Sequence, residues 1–469
     1  MNPTTESRAS AEYTSPFSSN GTRRSFLAAS GAAATATFLV VPRHVLGGAG
    51  YIAPSERLNV AGIGAGGMGG GDIARFSQLG ANIVALCDVD EERGAGSFNA
   101  HPKARRYKDF RKMIDAEAGN IDAVTVGTPD HVHAVATMAA IKAGKHVYTQ
   151  KPLTHTIFEA RELAKAAKAA GVVTQMGNQG HATEGARLTN EWIQAGIIGE
   201  IREVHTWTDR AGLLWKQGIG RPKETPPVPR TLDWDLWLGP VRERPYHPAY
   251  VPRMWRGWRD FGTGAMGDMG CHIIDHPVWA LKLGAPCTVE TRVTLDGSVI
   301  DDKPNLETYP LAALIFFEFP ARGDLPPVRL TWYEGGLMPP TPPEMPDGEQ
   351  LPGNGALYIG SRGKLYHGSH GGMPNLLPKS LHEEAAKVPR TIERSPGHYE
   401  EWLLACKGQG KTISNFEYAG PLTETMLLGM LALRAPGRRL EWDGASLTFK
   451  NAPELNQHTH IEYRKGWTL

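Results

Sequence analysis

The chain reads RLNVAGIGAGGMG over residues 57–69, and this run is the strongest indication of its architecture. The apolar first half is typical of a buried strand, and glycines follow it at once. Two G-x-G-x-x-G fingerprints overlap, one starting at Gly62 and one at Gly64, and the second leaves Ile63 as the last strand residue. Glycines at this spacing let backbone amides approach a pyrophosphate at a helix N-terminus. The run therefore predicts a dinucleotide site on Gly64, Gly66, Gly67 and Gly69.

An acidic residue ends the next predicted strand, about twenty residues further on. Residues 83–87 form a short apolar run that is followed by Asp88. A carboxylate at this place accepts hydrogen bonds from the ribose 2′- and 3′-hydroxyls and repels a 2′-phosphate. We therefore expect NAD as the cofactor, with NADP less favoured. The alternative is a glycine turn beside an ordinary surface aspartate.

Strand and helix signals alternate as far as residue 180. Apolar strand-like runs recur at 121–126, 146–149 and 172–176. Helix signals separate them, including a capping box of Thr156 with Glu159. This β-α-β alternation predicts a parallel, doubly wound sheet of the Rossmann type.

The pattern changes after residue 180, where strand-like runs follow one another with few helices between them. These runs lie at 202–207, 288–295, 312–319 and 328–333. Strands in series predict a second domain with a large, mostly antiparallel sheet. We expect an α/β protein divided into a tail with a signal at 1–50, a Rossmann domain at 51–180 and a second domain at 181–469.

Composition narrows the class of partner. The chain has 469 residues, 41% apolar and 21% charged, as soluble globular proteins do. Its formal charge of +1 argues against nucleic acid or an anionic membrane surface as a partner. The four cysteines show no metal-binding or disulfide spacing.

The N-terminus carries a separate signal. Residues 22–27 read TRRSFL and precede a short, alanine-rich apolar run at 28–41. This order is typical of a twin-arginine export signal, which predicts a periplasmic or otherwise exported protein. The run is too short to span a bilayer stably. The alternative is a chance arginine pair in a tail that is disordered over residues 1–21.

Two further strand ends carry candidate groups. Thr128 and Pro129 follow the strand at 121–126 and should lie beneath the nicotinamide-side ribose, while His131 and His133 open the next helix, where solvated capping is expected. The strand at 146–149 delivers Lys151. A cation there can stabilise an alkoxide while a hydride leaves the same carbon.

Four motifs, in this order, resemble the Gfo/Idh/MocA oxidoreductases. They are GAGGMG at 64–69, Thr128-Pro129 with His133, AGKHVYTQKP at 143–152 and DMGCH at 268–272. The resemblance implies bound NAD(P), sugar or polyol substrates, and an open sheet in the second domain that joins homodimers or homotetramers. The family typically has Glu-Lys-Pro, so Gln150 is a departure. The predicted cofactor-binding residues are Gly64, Gly66, Gly67, Gly69, Asp88, Thr128, Pro129, His133, Gln150 and Lys151.

Asp268 and His272 match the family's Asp-x-x-x-His motif and share one face if the segment is helical. Here His272 would accept the hydroxyl proton, Lys151 would hold the oxygen, and Asp268 would orient a neighbouring hydroxyl. A metal bound by these two residues with Asp275 and His276 is the rival interpretation, and we expect none.

Aromatic and cationic residues are interleaved over 207–262, which holds half of the twelve tryptophans. Flat apolar faces beside multidentate donors suit a sugar ring, so Arg210 and Trp258 are predicted to bind substrate. A tryptophan-stiffened loop is the equally good alternative. Asn178 and His181, just past the Rossmann domain, are predicted cleft residues.

These residues predict an exported NAD-dependent oxidoreductase that acts on a secondary hydroxyl of a sugar, glycoside or polyol. A redox-neutral glycoside hydrolase or lyase is an alternative, in which NAD oxidises the substrate, elimination follows and the ketone is reduced again. The third hypothesis is a non-catalytic dinucleotide-binding protein.

Overall fold

The structure is a computed structural model that describes residues 57–212 and 214–469. The predicted tail and twin-arginine signal at 1–50 lie outside the described residues. The division into domains at residue 180 stays a prediction. The described chain contains two main sheets, and each one supplies part of the candidate site.

The first sheet is parallel, with strand order β3-β2-β1-β4-β5-β6 among the described residues. Its strands are β1 (Asn59–Ile63), β2 (Asn82–Cys87), β3 (Arg105–Tyr107), β4 (Ala123–Val126), β5 (His146–Thr149) and β6 (Thr174–Met176). All six strands are parallel, but the order in which the chain adds them to the sheet reverses direction between β1 and β4. Open α/β sheets bind their ligands at such a point, next to the carboxyl ends of the strands. The predicted doubly wound parallel sheet is confirmed.

Helices connect these strands, and local sequence signals fix their ends. They are α1 (Gly67–Gln78), α2 (Glu91–Ala100), α3 (Phe110–Glu117), α4 (Asp130–Lys142) and α5 (Ile157–Ala170). The capping box predicted at Thr156 and Glu159 is present, and Gly171 closes α5 with a left-handed φ of 64°. Pro129 caps α4 and does not occupy its first helical position.

The second sheet is mixed and mostly antiparallel, in the order β15-β14-β13-β7-β12-β11-β8-β16-β17 within the part of the chain that the structure describes. Only β7 and β12 pair in parallel there. The strands are β7 (Ile201–Trp207), β8 (Thr288–Val293), β11 (Ala313–Phe319), β12 (Val328–Glu334), β13 (Gly355–Gly360), β14 (Lys364–Gly368), β15 (Asn375–Leu377), β16 (Leu440–Asp443) and β17 (Thr448–Phe449), and β9 (Val299–Ile300) pairs separately with β10 (Lys303–Pro304).

The second half of the described chain contains seven α-helices. They are α6 (Glu184–Gln194), α7 (Trp234–Leu238), α8 (Gly264–Ile273), α9 (Asp275–Ala280), α10 (Leu381–Ala385), α11 (His398–Cys406) and α12 (Phe416–Ala432). The long helix α12 is buried along most of its length and packs on both α5 and α8. It therefore fixes α8 relative to the first sheet. No helix in the described ranges has the length and apolar character that a membrane crossing requires.

Candidate active site

A cavity of about 380 Å³ lies at the carboxyl ends of the first sheet. Nine of the ten predicted cofactor-binding residues line it, and the exception is Gly69. A Cβ on Gly69 would lie 2.0 Å from Gly64 O, so this glycine lets α1 pack on the turn below the cavity.

The glycine turn has the geometry that a dinucleotide requires. Gly64 and Gly67 adopt φ values of +84° and +55°, which favour glycine. Helix α1 begins at Gly67 with no side-chain cap on its first turn. Gly64, Gly66 and Gly67 line the cavity at this uncapped helix N-terminus, as a pyrophosphate site needs. The turn therefore fits NAD.

Asp88 is held at the edge of the same cavity. Its Oδ2 accepts hydrogen bonds from the amides of Ala65 at 2.8 Å and Gly66 at 3.1 Å, and its Oδ1 accepts one from Asp90 at 3.0 Å. Burial raises the pKa of Asp88, although these amides oppose the shift. The carboxylate is thus fixed beside the turn, where a ribose would follow the pyrophosphate.

The two histidines of α4 are not solvated caps, and that expectation is wrong. His131 and His133 are 0% and 1% exposed because α4 is packed on nearly every side. The ring nitrogens of His133 lie 2.8 Å from Thr128 O and 2.7 Å from Pro152 O. His133 therefore ties the end of β4 to the segment that carries Lys151.

Lys151 lies at one end of the cavity and is clamped by α8. Its Nζ donates to Asp268 O and to Asp268 Oδ1, each at 2.8 Å. The same Oδ1 accepts a bond from Arg256 Nε at 3.0 Å. Burial would raise the pKa of Asp268, but Lys151 and Arg256 outweigh it and hold the pKa below its usual value. Asp268 thus positions the ammonium of Lys151, and its predicted contact with a substrate hydroxyl stays a prediction.

His272 lies one turn further along α8 and is 4% exposed. Its ring is stacked on His370, with centroids 3.9 Å apart. Burial, with Lys151 and His370 nearby, lowers the pKa of His272 well below its usual value. A neutral imidazole is suited to accept a proton. Sequence reasoning missed His370, although HGSHGG at 367–372 places two histidines in a glycine-rich turn.

Gln150 has a carboxylate partner that sequence reasoning also missed. Its Nε2 donates to Asp72 Oδ2 at 2.8 Å, and its Oε1 accepts the Lys151 amide at 3.3 Å. Tyr399 donates to Asp72 Oδ1 at 2.9 Å. Burial raises the pKa of Asp72 to about 7. The residue that precedes Lys151 therefore carries an amide, and this amide is paired with a carboxyl group on α1.

The predicted cleft residues Asn178 and His181 lie in the interior, which corrects their assignment. They are 0% and 2% exposed and donate to Asp275, which also accepts a bond from Tyr418. This buried network engages the Asp275 carboxylate. No group of three or more potential ligands suited to a metal occurs among residues 57–212 and 214–469.

The tryptophan-rich segment packs largely on itself. Trp258 is 1% exposed, its Nε1 donates to Ala249 O, and it does not line the cavity, which corrects its predicted role. Trp255 does line the cavity, and the Arg256 guanidinium lies 4.2 Å from its ring centre. Arg210 pairs with Asp209 at 3.7 Å outside the cavity.

Comparison with known families agrees with this geometry. A model of an oxidoreductase family with an NAD-binding Rossmann fold matches residues 58–178, and the model of that family's C-terminal α/β domain matches residues 185–303. Together they span just over half of the chain. The chain belongs to the Gfo/Idh/MocA family. Membership confirms the α/β fold class and NAD as the cofactor of the Rossmann part.

Known Gfo/Idh/MocA relatives are similar over part of their length. The 1,5-anhydro-D-fructose reductase of Ensifer adhaerens is 28% identical over 209 residues, 43% of this chain and 50% of that protein. The inositol 2-dehydrogenase of Azotobacter vinelandii is 33% identical over 152 residues, 32% of this chain and 44% of that protein. The chain thus spans half or less of the length of these relatives.

Solved structures of the family share the fold over a larger part of the chain. The WlbA dehydrogenase from Bordetella pertussis, in complex with NADH and UDP-GlcNAcA, has a TM-score of 0.56 at 16% identity. The match covers 82% of this chain and 99% of that one. At this identity the likeness shows the fold alone.

Proposed function

We propose that this chain is an NAD-dependent oxidoreductase that acts on a secondary hydroxyl of a sugar, glycoside or polyol. The observation that carries the proposal is the ammonium of Lys151, held by Asp268 at one end of the NAD groove. A fixed cation at this place stabilises negative charge on an oxygen whose carbon gives up a hydride. The activities named for the reductase and dehydrogenase relatives support the carbohydrate class.

The chain's own residues divide the work in this proposal. NAD, when bound, supplies the hydride acceptor at C4 of its nicotinamide. Lys151 binds the reacting oxygen, and Asp268 with His133 keeps the lysine segment in place. His272 on α8, with a neutral imidazole, accepts the hydroxyl proton. Arg256 and Trp255 offer donors and an apolar face beside the same end of the cavity.

Cofactor turnover tests the proposal against its two alternatives. We expect NADH to accumulate at 340 nm with myo-inositol or another polyol, or NADH to be consumed with 1,5-anhydro-D-fructose. Release of p-nitrophenol from p-nitrophenyl glycosides with no net change in NADH would instead establish the redox-neutral cleavage. Binding of NAD without either reaction would support the third hypothesis, a non-catalytic dinucleotide-binding protein.

We also propose export through the twin-arginine pathway, on the sequence at 22–41 alone. Replacing Arg23 and Arg24 with lysine should retain the protein in the cytoplasm, because the pathway reads the arginine pair. Cell fractionation of the native chain and the double variant measures this. Equal amounts of both proteins in the exported fraction would refute the signal.

Homodimer or homotetramer formation is a further proposal from the family, and light scattering would test it.

A further inference from the structure

A tryptophan far from the glycine turn in sequence lines the cofactor cavity. Trp467 is 8% exposed and borders the cavity of about 380 Å³. It lies outside residues 58–178 and 185–303, which the family models match. One part of the cavity wall is therefore supplied by a segment beyond the residues that the family models describe.

Hydrogen bonds fix the segment 464–469 beside the cavity. The guanidinium of Arg464 donates to Asp235 O, in α7, at 2.8 Å. Lys142, the last residue of α4, donates through Nζ to Leu469 O at 2.7 Å. The segment is therefore anchored to helices of the protein on both sides of its tryptophan.

Arg111, at the start of α3, holds the indole ring itself. Its guanidinium lies over the Trp467 ring, 4.2 Å from the ring centre. The same guanidinium donates to Gly466 O at 3.1 Å, and to Asp109 Oδ1 and Oδ2 at 2.9 and 2.8 Å. One face of the indole is thus covered by a cation that Asp109 keeps in place. The cation–π contact and these bonds give the ring a fixed orientation.

The order of the strands places Trp467 at the adenosine end of the cavity. Its ring packs on Phe110, which follows β3, with ring centres 5.9 Å apart. Asp88 follows the neighbouring strand β2, whereas Lys151 follows β5, on the other side of the point between β1 and β4. A dinucleotide crosses this point with one nucleotide on each side. A nicotinamide beside Lys151 therefore puts the adenosine on the side of Asp88 and Trp467.

The cavity wall on this side offers apolar surface to a flat ring. Phe110, Leu232 and Trp467 all line it. Leu232 pairs with Asp90 in an isolated β-bridge, two residues after Asp88, so it lies next to the predicted ribose site. Flat aromatic rings bury a large apolar area against such side chains. Adenine is the flat ring that NAD brings to this end of the cavity.

We propose that Trp467 binds the adenine ring of NAD and that Phe110 and Leu232 complete the pocket for this base. The glycine turn and Asp88 suit the pyrophosphate and the ribose, so this pocket accounts for the remaining part of the adenosine half. The inference rests on the proposed function for NAD binding alone, and it requires no oxidation of a hydroxyl.

Binding titrations with three ligands test this role. NADH and ADP-ribose contain the adenosine half, whereas reduced nicotinamide mononucleotide lacks it. Trp467→Ala should raise the Kd for NADH and for ADP-ribose by the same factor, about tenfold or more, as when an aromatic platform is removed from a base. The Kd for reduced nicotinamide mononucleotide should change less than about twofold. NADH fluorescence measures the Kd values, with ADP-ribose read by displacement of NADH.

Three further variants separate the contact from the fold. Trp467→Phe keeps an aromatic ring and should retain most of the affinity for NADH. Trp467→Leu fills part of the same volume without an aromatic ring, and it gives the same comparison if Trp467→Ala does not fold. Trp192→Ala removes a partly buried tryptophan that does not line the cavity, so it should bind all three ligands as the native chain does. Urea unfolding checks the fold of each variant.

Other outcomes overturn the proposal. A Kd for NADH within about twofold of native in Trp467→Ala would mean that the indole only closes the surface. An equal loss of affinity for reduced nicotinamide mononucleotide would mean that the whole cavity is damaged, which refutes the base contact. A native chain that binds no NADH would refute both this proposal and the proposed function. The expected Kd changes without turnover of any sugar or polyol would support the base contact and refute only the oxidation.

Discussion

Replacing Lys151 with alanine should leave NAD bound and reduce turnover about 10³-fold, the typical loss when one stabilising donor is removed from an oxyanion site. NAD is expected to remain bound because the glycine turn and Asp88, which line the same cavity, would hold its pyrophosphate and ribose. Asp268 keeps its bond to Arg256, so its charge stays paired in the variant. NADH formation under saturating NAD, together with calorimetric titration of NAD, measures the two effects separately.

A lysine at the opposite end of the same strand provides the control. Lys145 precedes β5, and its Nζ donates to Ala118 O, away from the cavity. Lys145→Ala should therefore retain turnover, at some cost in stability. Lys151→Arg keeps the positive charge but replaces the compact ammonium that donates hydrogen bonds to two oxygens of Asp268. This variant should therefore recover little of the turnover. Native turnover in Lys151→Ala would refute the assignment of the lysine.

The elements that local patterns specify were predictable from the sequence. Strand β1 ends at Ile63, as the second glycine frame predicts, and α5 carries its capping box. The strands β7, β8, β11 and β12 follow runs of alternating or continuous apolar residues. Strands β13 to β15 escaped prediction because they are short and contain glycines and polar residues, so pairing in the sheet, not periodicity, determines them.

The candidate site was predictable where a local motif or the family resemblance identified the residue. Lys151 and Asp268 are 117 residues apart, yet the family resemblance placed both in the site, and the structure joins them. No motif indicated that Asp72 would pair with Gln150, or that His370 would cover His272. Trp258 was assigned to substrate by its type, but burial depends on tertiary packing that composition does not encode.

The family typically has a glutamate at position 150, where this chain has Gln150. Exchanging the carboxyl group of Asp72 with the amide of Gln150 should show whether Asp72 compensates for that missing carboxylate. Burial raises the pKa of Asp72 from 3.8 to about 7, so between these values the folded state binds a proton that the unfolded state has lost. Asp72 therefore contributes stability at about pH 4 that is lost as the pH rises to about 7. At 1.36 kcal/mol per pKa unit, the loss is up to about 4 kcal/mol.

Four proteins make this a double-mutant cycle, measured by urea unfolding between pH 5 and 8. Asp72→Asn should remove this contribution to the pH dependence and be the more stable protein at pH 8, because an amide is neutral at every pH. Gln150→Glu should be strongly destabilised at pH 8 and less so at pH 5, since two carboxyl groups then face each other at the 2.8 Å contact. The double variant Asp72→Asn/Gln150→Glu should recover much of that loss, because it restores one carboxyl and one amide.

The same cycle connects stability to the chemistry at Lys151. Gln150 Oε1 accepts a hydrogen bond from the backbone amide of Lys151. We therefore expect kcat to be low in Gln150→Glu, where two carboxyl groups meet, and to be restored in the double variant, where one carboxyl group and one amide meet. Asp115→Asn changes an exposed aspartate on α3 and should alter neither stability nor kcat. A double variant no more stable than Gln150→Glu would show that the two side chains are not coupled. Asp72 would then be a buried carboxyl without influence on the active site, and the missing carboxylate at position 150 would have no counterpart.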